Sequence, residues 1–262
     1  MMSILDFIIA DKQIEVAQKK KIFPIPYLEA SPLFDRQSNS LVECLSKSAS
    51  GIIAEHKRRS PSKQNINCSL SVAEVASSYE KAGACGMSVL TDGKYFGGSL
   101  DDLNLARSVT SFPILRKEFI IDEYQIIEAK AHGADVVLLI ASVLSREQIK
   151  QLSTKAKEHG LEVLLEIHNL QELEKSIMPS LDIIGVNNRN LNTFSVSLTT
   201  SKNLIHKIPD EFIKISESGL SNVDAIKDLK AHGYQGFLVG ENFMKSDNPG
   251  ETAQKFIKQI ES

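Results

Sequence analysis

From residue 51 onward, short β-rich runs alternate with helical stretches, and this alternation limits the possible folds more than any other feature of the chain. The runs are Gly51 to His56, Met87 to Leu90, Ile114 to Arg116, Val136 to Ile140, Glu162 to Ile167, Ile183 to Asn187, Phe212 to Ser216 and Gly236 to Val239. Strands that alternate with helices form βα units, and such units build a parallel sheet. Eight of them suffice to close a barrel. The expected class is α/β, a (β/α)8 barrel over residues 51–262 with a helical extension over 1–50.

Punctuation along the chain agrees with that architecture. Ser71-Val72-Ala73-Glu74 and Ser221-Asn222-Val223-Asp224 resemble capping boxes at helix starts. Gly83, Gly133, Gly160 and Gly233 each follow a run with cations in its last turn, the usual end of a helix, just before a strand. Residues 1–50 stand outside the alternation. Ile4, Leu5, Ile8 and Ile9, continued weakly by Ile14 and Val16, make one face of a helix near 3–20. Pro24, Pro26 and Pro32 break the next stretch, and a second short helix is expected near 40–49. An apolar face needs burial, so the extension should pack on the barrel.

Composition narrows the function classes. A chain of 262 residues, 42% hydrophobic and 24% charged, has ample material for a core. A net charge of −3 and a pI of about 6.1 argue against nucleic acid or an anionic membrane as partner. The apolar run Phe7 to Ala10 is far shorter than the roughly 20 residues of a membrane span. Cys44, Cys68 and Cys85 form no C-x-x-C and read as reduced thiols of a cytoplasmic protein, monomeric by default.

In a barrel the working residues project from the carboxyl ends of the strands into one mouth. Those ends are polar here: Glu55 and Lys57 after the first run, Lys117 after the third, Glu166 in the fifth, Asn187 and Arg189 after the sixth, Glu217 and Ser218 after the seventh. Alternate strand residues share a face, so Gly51, Ile53, Glu55 and Lys57 would all point inward. Burying two charges costs several kcal/mol per ion unless they pair or serve chemistry. Each residue also has a plainer reading. Lys57 sits beside Arg58 and Arg59 in what reads equally as a solvated charge run, Lys117-Glu118 as a surface pair, and Asn187-Asn188 as a turn. Their common position favours a site.

Ser218-Gly219 and Val239-Gly240-Glu241 follow the last two runs, where barrels often bind phosphate through backbone N–H groups. Ser60-Pro61-Ser62, with Lys57 and Lys63, offers hydroxyl and cationic contacts. His168 is the histidine placed near the mouth, whereas His56 should point outward, and His132, His159 and His232 read as cations at helix C-termini. No H-E-x-x-H, Cys/His cluster or Walker loop is present, which leaves metal catalysis little support.

Read together, Ile4 to Lys12, Ala54 to Ser62, Leu90 to Leu100, Leu115 to Ile120, Leu164 to His168, Ile184 to Leu191, Ser216 to Gly219 and Leu238 to Gly240 resemble the indole-3-glycerol-phosphate synthases of tryptophan biosynthesis. The resemblance runs along nearly the whole chain. It implies a TIM barrel acting on a small phosphosugar-anthranilate, 1-(2-carboxyphenylamino)-1-deoxyribulose 5-phosphate, with no cofactor and with weak association with other pathway enzymes left open. It further implies Lys117 as general acid, Glu166 as the partner in the opposite proton transfer, and Lys57, steadied by Glu55, on the substrate carboxylate. Asn187, Arg189, Glu217 and Ser218 would orient the substrate, Phe96 and Phe119 would wall its ring, and Ser60, Gly219, Gly240 and the turn at Glu241 would receive its phosphate. A lysine suits this role only if desolvation or neighbouring cations lower its pKa toward neutrality. Departures from the family pattern are His56, Arg59 and Gln64, all on or beside the first loop.

Other functions remain open on sequence alone. A phosphosugar isomerase on the same barrel would need a Cys and Asp pair at strand ends, and none of the cysteines ends a run. A Schiff-base aldolase would use Lys57 or Lys117 as nucleophile. A barrel that only binds a phosphometabolite or a partner subunit is the non-enzymatic reading.

Overall fold

The computed structural model describes residues 3–61, 63–191 and 193–262. Its strands are β1 (Ile52–His56), β2 (Gly86–Leu90), β3 (Ile114–Lys117), β4 (Val136–Ile140), β5 (Glu162–Ile167), β6 (Ile183–Asn187), β7 (Ile213–Glu217) and β8 (Gly236–Val239). Each pairs in parallel with the next, and β8 returns to β1 to close the barrel. The expected fold class is therefore the observed one. Gly51 lies just outside β1 with φ of 67°, a conformation that favours glycine, and a Cβ there would stand 2.2 Å from the Gln235 carbonyl oxygen. β3 and β7 each run one residue further than the apolar runs suggested. Lys117 and Glu217 still pair in the ladder, opposite Leu90 and Asn187, so the polar strand ends are held by sheet hydrogen bonding.

Two apolar layers follow from the period-two alternation of the strands. Ile53, Leu115, Leu138, Leu164, Ile183, Ile215 and Leu238 fill the barrel interior. The opposite faces, including Val89, Val137, Leu165 and Val186, pack against the surrounding helices. Gly83, Gly133, Gly160 and Gly233 end their helices with φ of 89°, 82°, 68° and 109°. The two expected capping boxes are absent. Ser71 occupies its cap position without a side-chain hydrogen bond, and the later helix is capped by Asn222, which accepts from the Ala225 N–H. Asparagine caps as well as serine, so the start moves by one residue. His132, His159 and His232 do terminate helices. Burial, and then Arg116 beside His132 and Lys155 beside His159, push these two down, so they do not favour the charge expected of them.

The extension forms helices α1 (Ile4–Ile22), α2 (Ile25–Glu29) and α3 (Leu41–Lys47). α2, with Pro26 in its first turn, falls in the stretch expected to be broken, since proline is tolerated at a helix start. α3 plugs the N-terminal mouth of the barrel. Its Leu41 and Leu45 join the interior cluster, and the Glu162 carboxylate at the start of β5 accepts from the Leu41 and Val42 N–H groups at 2.8 and 3.1 Å.

α1 begins with a true capping box of Ser3 and Asp6. Ile8 and Val16 are buried as expected, but Ile14 is 59% exposed. Lys12 takes the centre of the packed face. Its ammonium lies 2.7 Å from Glu15, 3.1 Å from Asp92 and 3.0 Å from Glu118, and the residue is 1% exposed. This buried cluster bolts α1 to the segments that follow β2 and β3. Replacing Lys12 by Met would take the paired cation from buried Asp92 and leave Glu118 only Arg116, 3.9 Å away. Urea unfolding should then show a loss of about 3–5 kcal/mol. An unchanged midpoint would mean that the cluster contributes nothing to stability.

Candidate active site

At the carboxyl ends of the strands the barrel opens into a cavity of about 370 Å³. Its floor holds Glu55 from β1, Lys117 from β3 and Glu166 from β5, and Glu217 at the end of β7 lies beside them. One side chain from each odd-numbered strand is how a layer of barrel interior is built, and here that layer is charged rather than aliphatic. The Lys117 ammonium lies 2.6 Å from Glu217 and 3.4 Å from Glu55. Lys57, just past β1, lies 2.5 Å from the other oxygen of Glu55. Asn187 donates from its amide to Glu166 at 3.1 Å.

Neighbouring groups are shaped around these carboxylates. A Cβ on Gly240 would stand 2.4 Å from Glu55 Oε1, and one on Gly185 would stand 2.5 Å from Glu217 Oε1. The missing side chain of Gly240 thus makes room for Glu55, a role not foreseen for a glycine expected to receive phosphate. Ser218 and Gly219 follow β7 with left-handed φ values of 68° and 79°. For serine this is strained backbone of the kind that concentrates at functional sites. The buried amide of Asn188 holds it, donating to the carbonyl oxygens of Glu217 and Ser218 at 3.0 and 3.1 Å.

The electrostatics diverge within a few ångströms. Burial alone would raise Glu55, but Lys57 and Lys117 draw it down to about 2. Burial raises Glu217, Lys117 draws it back, and Glu166 and Glu55 raise it again, leaving it at about 7. Burial opposes charge on Lys117, but Glu217, Glu55 and Glu166 outweigh it and hold the ammonium above the usual lysine range. The lowering that the acid role called for is therefore not met, because the neighbours of Lys117 are carboxylates and not cations.

The rest of the cavity wall includes Ser60, Phe96, Phe119, Arg189, Gly219 and Glu241. The rings of Phe96 and Phe119 are 6.0 Å apart. Glu241 is engaged by Lys63 at 2.8 Å. The expected site residues thus line one cavity except Glu217, which is buried beneath its floor against Lys117, while Ser62 lies outside the described residues. Of the three departures on or beside the first loop, His56, the last residue of β1, is buried and pushed down to about 4 by burial and by Arg58. Arg59 donates to the Gly93 and Lys94 carbonyl oxygens at 2.7 and 3.1 Å, tying this loop to the next, and Gln64 is exposed.

Residues 5–258 match the family model described as indole-3-glycerol phosphate synthase. The chain belongs to the indole-3-glycerol phosphate synthase family. Relatives bearing that name include one from Bacteroides thetaiotaomicron, 48% identical over the full length of both chains. Another, from Dechloromonas aromatica, is 39% identical over 98% of this chain and 100% of its own. A third, from Bacillus cereus, is 43% identical over 95% of each. Among solved structures the chain is similar to 3-hexulose-6-phosphate synthase from Salmonella typhimurium, with a TM-score of 0.64, 14% identity, and coverage of 80% of this chain and 98% of that one. It also resembles N-acetylmannosamine-6-phosphate 2-epimerase from Clostridium perfringens, with a TM-score of 0.61, 14% identity, and coverage of 79% and 92%. At that identity these two share the barrel fold alone.

Several residues around the site of this family member escape a reading of strand ends. Ile4, Leu5 and Ile8 of α1 line the cavity, so one face of the extension is site wall. Their apolar spacing was visible, but nothing local said what they would cover. Gly185 and Asn188 had a weaker signal, a glycine inside a strand and an amide just after it.

The opposite shifts of Glu55 and Glu217 have opposite consequences for stability. Glu217 binds its proton more tightly folded than unfolded, so its contribution falls as pH rises from the ordinary glutamate range through about 7. Glu55 contributes fully above that range and loses its contribution as pH falls toward about 2. Carboxyl-selective ¹³C NMR should show Glu55 ionised throughout the folded range and Glu217 titrating near neutrality. Two carboxyls titrating together in the ordinary range would contradict the site's charge arrangement.

Proposed function

We propose that this chain closes the indole ring, converting 1-(2-carboxyphenylamino)-1-deoxyribulose 5-phosphate to indole-3-glycerol phosphate, carbon dioxide and water, without a cofactor. The observation that carries this reading is the ammonium of Lys117, held charged among three carboxylates at the base of a cavity that also has an aromatic wall. Family membership supplies the substrate class.

The ring carbon bearing the carboxylate attacks the ribulose carbonyl. As that carbon–carbon bond forms, the carbonyl oxygen becomes an alkoxide and takes a proton from Lys117. An alkoxide is a stronger base than any amine, so the transfer runs downhill even from an ammonium held above its usual range. The carboxylate then leaves as carbon dioxide, its bonding electrons restoring the aromatic ring. Lys57, placed by Glu55, orients the carboxylate until it leaves. The new hydroxyl departs as water after taking a second proton from the recharged Lys117, while a proton is lost from the neighbouring methylene carbon to form the indole double bond. Glu166, oriented by Asn187, takes that proton. Glu217 shares the proton of the Lys117 pair and lets the acid be recharged. Arg189 and Ser218 orient the substrate chain, and Phe96 and Phe119 flank its ring. Ser60, Gly219, Gly240 and the turn at Glu241 receive the phosphate.

A Schiff-base lysine must be neutral to attack, and the carboxylates around Lys117 oppose that state. Cys85, buried in the cluster that includes α3, lies away from the cavity wall, which also weighs against a cysteine-dependent isomerase. The free cysteines support a reducing, cytoplasmic setting, and the enzyme is read as a monomer. Among the described residues no helix is long and apolar enough to cross a membrane.

Purified protein with this substrate and a chelator should produce the fluorescent indole product. Lys117→Met should abolish turnover while product still binds, and turnover at the original rate would remove Lys117 as the acid. Glu166→Gln should lower kcat by about 10²-fold or more. Ser60→Ala should raise KM with kcat little changed. A substitution at Gly240 is the poorer phosphate test, since its Cβ would displace Glu55.

A further inference from the structure

His168 is the first residue after β5 and lies on the same face as Glu166. The first turn of the helix Leu170–Ser176 holds it. Glu172 Oε2 accepts from the His168 backbone N–H at 2.8 Å and lies 3.1 Å from its Nδ1, while Asn169 donates to the other oxygen of Glu172 at 2.8 Å. A carboxylate on Nδ1 assigns a proton to that nitrogen. The ring then turns Nε2 toward Glu166, 3.4 Å from Oε1. This Nε2 is buried with no hydrogen-bond partner among the described residues.

With Nδ1 protonated, a neutral ring presents a lone pair at Nε2. Facing a carboxylate oxygen, that would set two acceptors against each other at close range. The contact is favourable only when a proton lies between them. The charge tally points the same way. Glu55, Glu166 and Glu217 bring three carboxylates to the floor, against the two ammoniums of Lys57 and Lys117. The imidazolium of His168 would be the third cation and Glu172 on its Nδ1 a fourth carboxylate, so a single surplus negative charge remains, which the raised Glu217 meets.

We propose that His168 is a positioning residue for Glu166, holding one proton between Nε2 and Oε1 so that Glu166 meets the substrate as an oriented carboxylate. The inference rests on the proposed role of Glu166 as the proton acceptor. The groups facing His168 are Glu166 on β5, Glu172 on the following helix and, farther off, Glu217 on β7; Lys117 on β3 and Asn187 on β6 face Glu166 from the other side. Burial opposes the imidazolium, but Glu172 and Glu166 raise His168 above the usual histidine range.

The test is the pH profile of kcat for the full-length protein, wild type and His168→Gln, each with and without Glu166→Gln. Glutamine keeps a hydrogen-bond donor to Glu166 and removes the charge. Its acidic limb should move up by about one pH unit or more, the scale of losing an opposite charge beside a carboxylate. KM should change little. Glu172→Gln, which removes the clamp on Nδ1, should shift the limb in the same direction. Unmoved limbs in both variants overturn the proposal, as does a His168→Gln shift that persists with Glu166→Gln, since His168 would then act on another group. Wild-type turnover in Glu166→Gln alone would instead refute the role given to Glu166.

Discussion

One buried layer of charge governs this molecule. A barrel interior is ordinarily closed by stacked aliphatic side chains, and below Glu55, Lys117 and Glu166 this one is, with Leu115, Leu138 and Leu164 in the interior cluster. The layer above them must be neutralised internally, because ions removed from water cost several kcal/mol each. Pairing solves part of that cost. The surplus of carboxylate has to be met by taking up protons, and this keeps Lys117 charged and raises Glu217 toward neutrality. Stability and chemistry therefore draw on the same imbalance.

The end of β3 links this layer to the extension. Alternation puts Lys117 inside and its neighbours Arg116 and Glu118 on the outer face, both buried. Arg116 lies 2.6 Å from Glu128, while Glu118 accepts from Thr91 at 2.8 Å and meets the ammonium of Lys12 from α1. The strand end is thus clamped from outside by one ionic cluster and from inside by another. The helix that supplies Lys12 also supplies Ile4, Leu5 and Ile8 to the cavity wall, so the extension serves both anchorage and enclosure.

Much of this could be read from the chain. The barrel, the placement of Glu55, Lys117, Glu166, Asn187 and Glu217, and the glycine stops all follow from strong local periodicities, and the structure keeps them. What escaped depends on contacts distant in sequence. Lys12 reads as a surface residue until Asp92 and Glu118 are folded against it. Gly240 reads as a phosphate glycine until Glu55 of β1 is brought beside it by closure of the barrel. The sign of the Lys117 shift is hidden for the same reason: the chain shows Arg58 and Arg59 near one lysine, but only the folded strands show which carboxylates surround the other. One helix start moved by a residue, from Ser221 to Asn222, where asparagine and serine compete for the cap, a choice local sequence leaves nearly balanced.

The central claim is that Lys117 works as an acid whose resting state is the ammonium. The most direct test is the ¹⁵N resonance of its side-chain nitrogen followed against pH, assigned by comparison with Lys117→Met. The account predicts an ammonium signal that persists beyond the pH at which an ordinary lysine deprotonates, because the surrounding carboxylates oppose loss of its charge. A nitrogen that becomes neutral at or below that pH would contradict it, and would return the site to the lowered lysine that a nucleophilic mechanism requires.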